Sequence, residues 1–121
     1  MMRTGFFCEI YGATIRNRVL EYLLENAGLD FAIGDMAEEL GISRPKAYQI
    51  MEEFEKKGYV KKSRTVGKTQ LYILNKENRI VKLFLKNFKE CLKILMEEYE
   101  AKNQKVSSGS GKSVVLAAKG V

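Results

Sequence analysis

Between residues 13 and 27, Ile15, Val19, Leu20, Leu23 and Leu24 recur at spacings of three and four, and Gly28 follows as a stop. That period predicts a helix with one buried face. Residues 35–40, DMAEEL, predict a short second helix with acids in its first turns and Gly41 at its end. Ser43 is a good N-cap for a third helix, with Pro45 in the first turn, where its missing N–H costs nothing. That helix runs to about Lys57 and Gly58 closes it. Residues 59–63 and 70–74, YVKKS and QLYIL, are β-prone runs flanking a Gly-bearing loop from Arg64 to Thr69, as in a hairpin. Asn78 then caps a long helix to about Lys102. Beyond it, residues 107–111 have the Ser/Gly composition of a linker. Residues 112–121 return to small apolar residues with two lysines, and the chain has no internal repeat.

Three helices, a hairpin and a long helix, in that order, predict a mainly α fold with a small β-hairpin: a winged helix-turn-helix domain plus a long C-terminal dimerisation helix. The boundaries expected are an N-terminal extension over 1–12, the winged domain over 13–76, the dimerisation helix over 77–102 and a flexible tail over 103–121. The strongest signal lies between Ile33 and Ile50. Ala37 suits a close crossing of two helices, and Gly41, four residues on, suits a turn that needs positive φ. Met36, Leu40, Ile42, Ala47 and Ile50 supply apolar positions that lock the two helices together, the pattern of a helix-turn-helix.

Composition narrows the chemistry. The 121 residues are 45% hydrophobic, enough for one globular core, and contain no His, the commonest general base and metal ligand. Cys8 and Cys91 lie 83 positions apart, far from zinc-ligand spacing, and both read as packed structural thiols. Near a two-fold axis, Cys91 would have the option of a redox role. No metal site, cofactor or nucleophile–base pair is expected, and enzymatic activity is the weakest reading. No apolar run nears a membrane span, and MMRTGFFCEIYG is weaker than a secretory signal requires, so a cytoplasmic protein without a membrane partner is expected.

The net charge of +6 is unevenly spread: residues 1–42 carry −4, residues 43–68 carry +5, and residues 102–121 hold four lysines and no acid. A local basic block suggests a polyanion-binding face, although a solubilising surface would look the same. At about 100° per residue, Ala47, Ile50, Met51 and Phe54 fall on one arc of the third helix and face the core. The opposite arc holds Pro45, Tyr48, Gln49, Glu52 and Lys56, with Arg44 and Lys46 at its flanks. Arg44 and Gln49 are candidates for reading guanine and adenine. Tyr48 suits a thymine methyl or a phosphate, while Ser43 and Lys46 suit phosphate contacts that position without specifying. Glu52 runs against phosphate unless it accepts from a cytosine amino group. The bland alternative is the solvated face of an amphipathic helix. In the hairpin, Lys61, Lys62, Arg64 and Lys68 lie within eight residues and suit a wing on the DNA backbone, or protection of an edge strand.

On the long helix, Val81, Leu85, Phe88, Leu92, Leu95 and Tyr99 follow a 4-3-4-3-4 spacing, a coiled-coil-like stripe expected to form a dimer interface. Ile80, Phe84 and Cys91 widen the apolar arc, so part of the helix has surface to cover its own core while the remainder meets a second copy. Folding back entirely over its own domain is the alternative.

From about Gly12 to Glu98 the chain resembles archaeal winged-helix transcriptional regulators of the MarR/ArsR-like superfamily. The resemblance rests on YGATIRNRVLEYLLEN, on DMAEELGISRPKAYQIMEEFEKKGYV and on KKSRTVGKTQLYILN. It implies a homodimer on a pseudo-palindromic operator, with the major-groove role on Ser43, Arg44, Lys46, Tyr48 and Gln49 and the wing role on Arg64 and Lys68. Metal-sensing members cluster Cys or His on their helices, and no such cluster exists here. The expected partners are therefore double-stranded DNA and a second copy of the chain, with any small-molecule effector unspecified. A winged-helix protein-interaction module, favoured by Glu52, Glu53 and Glu55, and an architectural DNA-packing module are the alternatives.

Overall fold

The computed structural model describes residues 5–110, with side chains described through Lys102. Eight elements follow in order: α1 (Phe6–Tyr11), α2 (Ile15–Glu25), β1 (Phe31–Ala32), α3 (Ile33–Leu40), α4 (Arg44–Lys56), β2 (Val60–Val66), β3 (Thr69–Leu74) and α5 (Arg79–Ser110). The described residues through Phe88 form one unit, and the described residues from Lys89 form a second.

Local chemistry explains most of the helix ends. Thr14 accepts a hydrogen bond from the Asn17 backbone at 3.0 Å and starts α2, which buries Val19, Leu20, Leu23 and Leu24. Gly41 ends α3 at φ +69°, where the backbone N–H of Ile42 donates to the Ala37 carbonyl at 3.0 Å. The buried Arg18 side chain donates to the Leu40 carbonyl, satisfying another open acceptor of that last turn. Ser43 caps α4 through the Lys46 backbone N–H. Asn78 Oδ1 accepts from the backbones of Ile80 and Val81 at 2.8 and 3.1 Å and opens α5.

Four features depart from the sequence-based expectation. The segment expected as an extension contains α1, whose Phe7 and Cys8 are buried. Six residues are too few to show a helical period, and the helix is held from outside. The buried Glu21 carboxylate accepts from the backbone N–H groups of Gly5, at 3.0 and 3.1 Å, and Cys8, at 3.2 Å. The hairpin is accompanied by a third strand, giving an antiparallel sheet in the order β1-β3-β2, with Phe31 opposite Tyr72 and Ala32 opposite Leu71. The two-residue β1 is too short to announce itself. Arg64, Thr65 and Val66, expected in the loop, belong to β2, and the turn closes tightly at Gly67, with φ +64°, and Lys68. Finally, α5 continues to Ser110, past the end expected near Lys102. No proline interrupts the i→i−4 ladder there. Residues 111–121 of the expected tail lie outside the described residues.

Val19, Leu23, Met36, Met51, Phe54, Val60 and Val81 are the largest fully buried side chains of the core. An aromatic chain ties α4 to the start of α5: Phe54 and Tyr59 are 5.5 Å apart, and Tyr59 and Phe84 5.3 Å. Val81 is 0% exposed, which corrects its assignment to a dimer interface. The first turn of α5 must close the domain's own core, so Val81 is spent there. Phe88 is half-buried, its ring 6.2 Å from Phe7. Farther along α5, Leu92 is 43% exposed and Met96 is also exposed, while Leu95 and Tyr99 are half-buried. Among the described residues no helix is long and apolar enough to cross a membrane.

Candidate nucleic-acid interface

The turn at Gly41 aims α4 so that Ala47, Ile50, Met51 and Phe54 are buried and the other face is turned outward. Ser43, Arg44, Lys46, Tyr48, Gln49 and Lys56 are all exposed. The Ser43 hydroxyl accepts from Lys46 N–H at 3.3 Å as the cap, which leaves its own proton for an outside acceptor. Lys56 reaches Glu52 at 4.0 Å, one turn back along α4. At this exposure the pair is worth little.

Arg44 is placed by a residue that pattern reading did not single out. A Cβ on Gly34 would stand 3.0 Å from the Arg44 guanidinium carbon, so the arginine lies across α3 at the point where a side chain is absent. The result is a groove of about 430 Å³ between the helix-turn-helix and β3, whose lining includes Gly34, Asp35, Arg44, Tyr48, Lys68 and Tyr72. Arg44 from α4 and Lys68 from the hairpin turn thus serve one concavity, although 24 positions separate them in the chain. Gln49 lines a neighbouring hollow of about 420 Å³ with Tyr48, Glu52, Glu55 and Tyr72. Burial raises the Tyr72 phenol above its ordinary pKa, and Glu55 and Tyr48 push the same way, so it stays a neutral donor.

In the wing, Lys61, Lys62, Ser63, Arg64 and Lys68 are exposed. Lys62 stands opposite Tyr72, and a bulge between Lys62 and Thr65 adds one residue to β2. Arg64 does not stand alone: its Nε donates to Asp30 Oδ2 at 2.9 Å, and Ser63 Oγ donates to the same oxygen at 2.9 Å. These two donors hold the Asp30 carboxyl below its ordinary pKa. Asp30, Gly34 and Tyr72 are the site residues that sequence reasoning missed. Asp30 lies outside every stretch singled out in the sequence, Gly34 and Tyr72 lie inside such stretches without a role there, and each matters only through a partner elsewhere in the chain. Of the acids that suggested a protein-docking helix, Glu53 is taken by Arg16 at 2.9 Å. Among the described residues no group of three or more Cys, Asp or Glu is placed to hold a metal ion.

Residues 17–75 match the profile of a family described as the sugar-specific transcriptional regulator TrmB. No curated protein matches the sequence. Among solved structures, a mutant of ZitR from Lactococcus lactis in complex with DNA is similar with a TM-score of 0.57 at 15% identity. That match covers 84% of this chain and 69% of ZitR. The heme sensor protein PefR from Streptococcus agalactiae, in complex with heme, is similar with a TM-score of 0.50 at 20% identity, over 93% of this chain and 74% of PefR. Identities this low show a shared fold. The resemblance to MarR/ArsR-like regulators is met at the level of a winged-helix transcriptional regulator, while the family that matches is TrmB. The match runs from α2 to the residue after β3, the elements that build the groove and the wing. Residues 17–75 are thus similar to TrmB regulators, and the fold of the chain is that of a winged-helix domain.

Proposed function

We propose that this protein is a sequence-specific DNA-binding transcriptional regulator that acts as a homodimer on a pseudo-palindromic operator. The observation that carries the reading is the common groove of Arg44 and Lys68, which puts the N-terminal end of α4 and the wing turn on one concave, cation-bearing surface. In this reading α4 enters the major groove. Arg44 and Gln49 read base edges, Tyr48 meets a thymine methyl, and Ser43 and Lys46 hold phosphates beside them. Lys62, Arg64 and Lys68 track the backbone, and Lys56 adds long-range attraction. The DNA complex of the structurally similar ZitR supports this class of partner. "Sugar-specific" describes the matched family. The matched segment holds the reading elements, and no residue of this chain is assigned to a sugar. The self-association surface is the arc of α5 that bears Leu92, Leu95, Met96 and Tyr99.

Selection from random duplex DNA tests the reading. The expected outcome is a pseudo-palindrome with half-sites about one helical turn apart. Arg44→Ala and Gln49→Ala are expected to lose sequence preference more than bulk affinity. Binding with no preferred sequence would make the protein an architectural packer, and retention of no duplex would make it a protein-interaction module.

A further inference from the structure

Asp30 precedes β1, outside the hairpin and 34 positions before Arg64, yet it is the residue that organises the wing. Side chains of consecutive strand residues point to opposite faces of a sheet. Ser63 and Arg64 are consecutive, and both reach one oxygen, Asp30 Oδ2. The bulge between Lys62 and Thr65 removes the conflict, because the extra residue breaks the alternation there. The acid is the anchored member of the group: its side chain is 20% exposed, against 67% for Arg64, and the next residue, Phe31, is pinned in the ladder opposite Tyr72. Strand β1 therefore fixes the carboxylate at the base of the wing.

The hydrogen bond uses only part of the arginine. A guanidinium has five N–H donors in a rigid fork. Among the described residues Arg64 donates only through Nε, and its exposed terminal nitrogens remain available outside the pair. That edge matches two phosphate oxygens in bidentate fashion.

We infer that Asp30 is a positioning residue for DNA binding: through the shared oxygen that accepts from Ser63 and Arg64, it holds the Arg64 guanidinium with its terminal edge presented to a backbone phosphate. This rests on the DNA-binding reading and adds to it a residue whose charge alone would predict the opposite role. An acid near DNA repels phosphate, so on Coulombic grounds its removal strengthens binding. A positioning acid behaves the other way, because its removal returns to Arg64 the rotamer freedom that binding must then remove.

The test is a double-mutant cycle on the selected operator, with affinities measured at several salt concentrations. Arg64→Ala is expected to weaken binding and to lower the salt slope by about one. Asp30→Ala is expected to weaken binding about three- to tenfold, the scale of one long side chain's ordering. In the Arg64→Ala background the same Asp30 change should leave affinity unchanged or raise it. Asp30→Asn retains an oxygen for both donors and should bind at least as tightly as the parent. Thermal melting of each variant accompanies the titrations. A loss that appears equally in both backgrounds marks ordinary structural damage and overturns the inference. So does an Asp30→Ala protein that binds as well as or better than the parent, and so does an Arg64→Ala protein that binds as the parent does. Each of these leaves the DNA-binding reading standing. A parent protein that retains no duplex overturns both.

Discussion

At Gly34 the absence of one methyl group makes room for a guanidinium, and this separates stability from binding at a single position. Its φ is not in the left-handed region, so alanine fits the backbone and gains up to about 1 kcal/mol of helix propensity. The same methyl would lie 3.0 Å from the Arg44 guanidinium carbon and push it aside. Gly34→Ala is therefore expected to melt at or above the parent temperature while binding operator DNA about tenfold more weakly, the scale of one good side-chain contact. Equal affinity in a titration would show that Arg44 needs no such seat. Cys8 makes a second case. Burial, reinforced by the neighbouring Glu21 carboxylate, pushes its thiol up from 9.0 to about 12. At pH 8 the thiolate fraction falls by about a thousandfold against an ordinary cysteine. In the native protein Cys8 should resist alkylation and become reactive only on unfolding, as mass spectrometry of labelled peptides would show. Burial raises Cys91 as well, helped by Glu90, which argues against a reactive thiol there.

At the scale of elements, the wing is a three-stranded structure tied down by an ion pair, and that tie has a pH signature. The Asp30 carboxyl is held below its usual 3.8 first by the hydrogen bond from Arg64 and then by that from Ser63. A carboxyl depressed on folding contributes stability that is present above its unfolded pKa and lost as pH falls through the lower folded value. Melting temperatures taken from pH 6 down to pH 2 should therefore fall less steeply below about pH 4 for Asp30→Asn than for the parent. Parallel acid limbs would mean the pair is too well solvated to matter. Helix α4 shows a division of charge along its length. Its first turn carries the cap, Arg44 and Lys46, whereas Glu52, Glu53 and Glu55 occupy its second half. An anion is favoured at a helix N-terminus, so charge and dipole both direct that end toward phosphate.

For the molecule as a whole, the proposed homodimer has only part of the apolar stripe of the last helix to draw on. Val81 is consumed by the core of the domain that carries it, and Phe88 lies beside Phe7 of α1. Leu92 and Met96 stay exposed on an arc they share with the half-buried Leu95 and Tyr99. A paired Leu92→Glu and Met96→Glu variant should sediment as a monomer and melt within a few degrees of the parent. Its affinity for a two-half-site operator should drop by about a hundredfold or more, because the second half-site is no longer bound intramolecularly. Unchanged sedimentation would remove this arc from the dimer.

Much of this protein was legible along the chain, because its main devices are local. A period of three to four marks α2, Ser43 and Asn78 mark helix starts, Gly41 marks the tight turn, and two β-prone runs around Gly67 mark the wing. Each depends on near neighbours in sequence. The exposed face of α4 followed from the same periodicity, since only one arc could be apolar. What needed the third dimension were contacts between segments with no pattern of their own. Glu21 holds α1, which is too short to nucleate unaided, and a two-residue strand anchors Asp30 under Arg64. Gly34 leaves space for Arg44, and the core claims Val81 from the dimer stripe. Periodicity tells which side of an element is buried but not what it is buried against, and only the packed structure decides that.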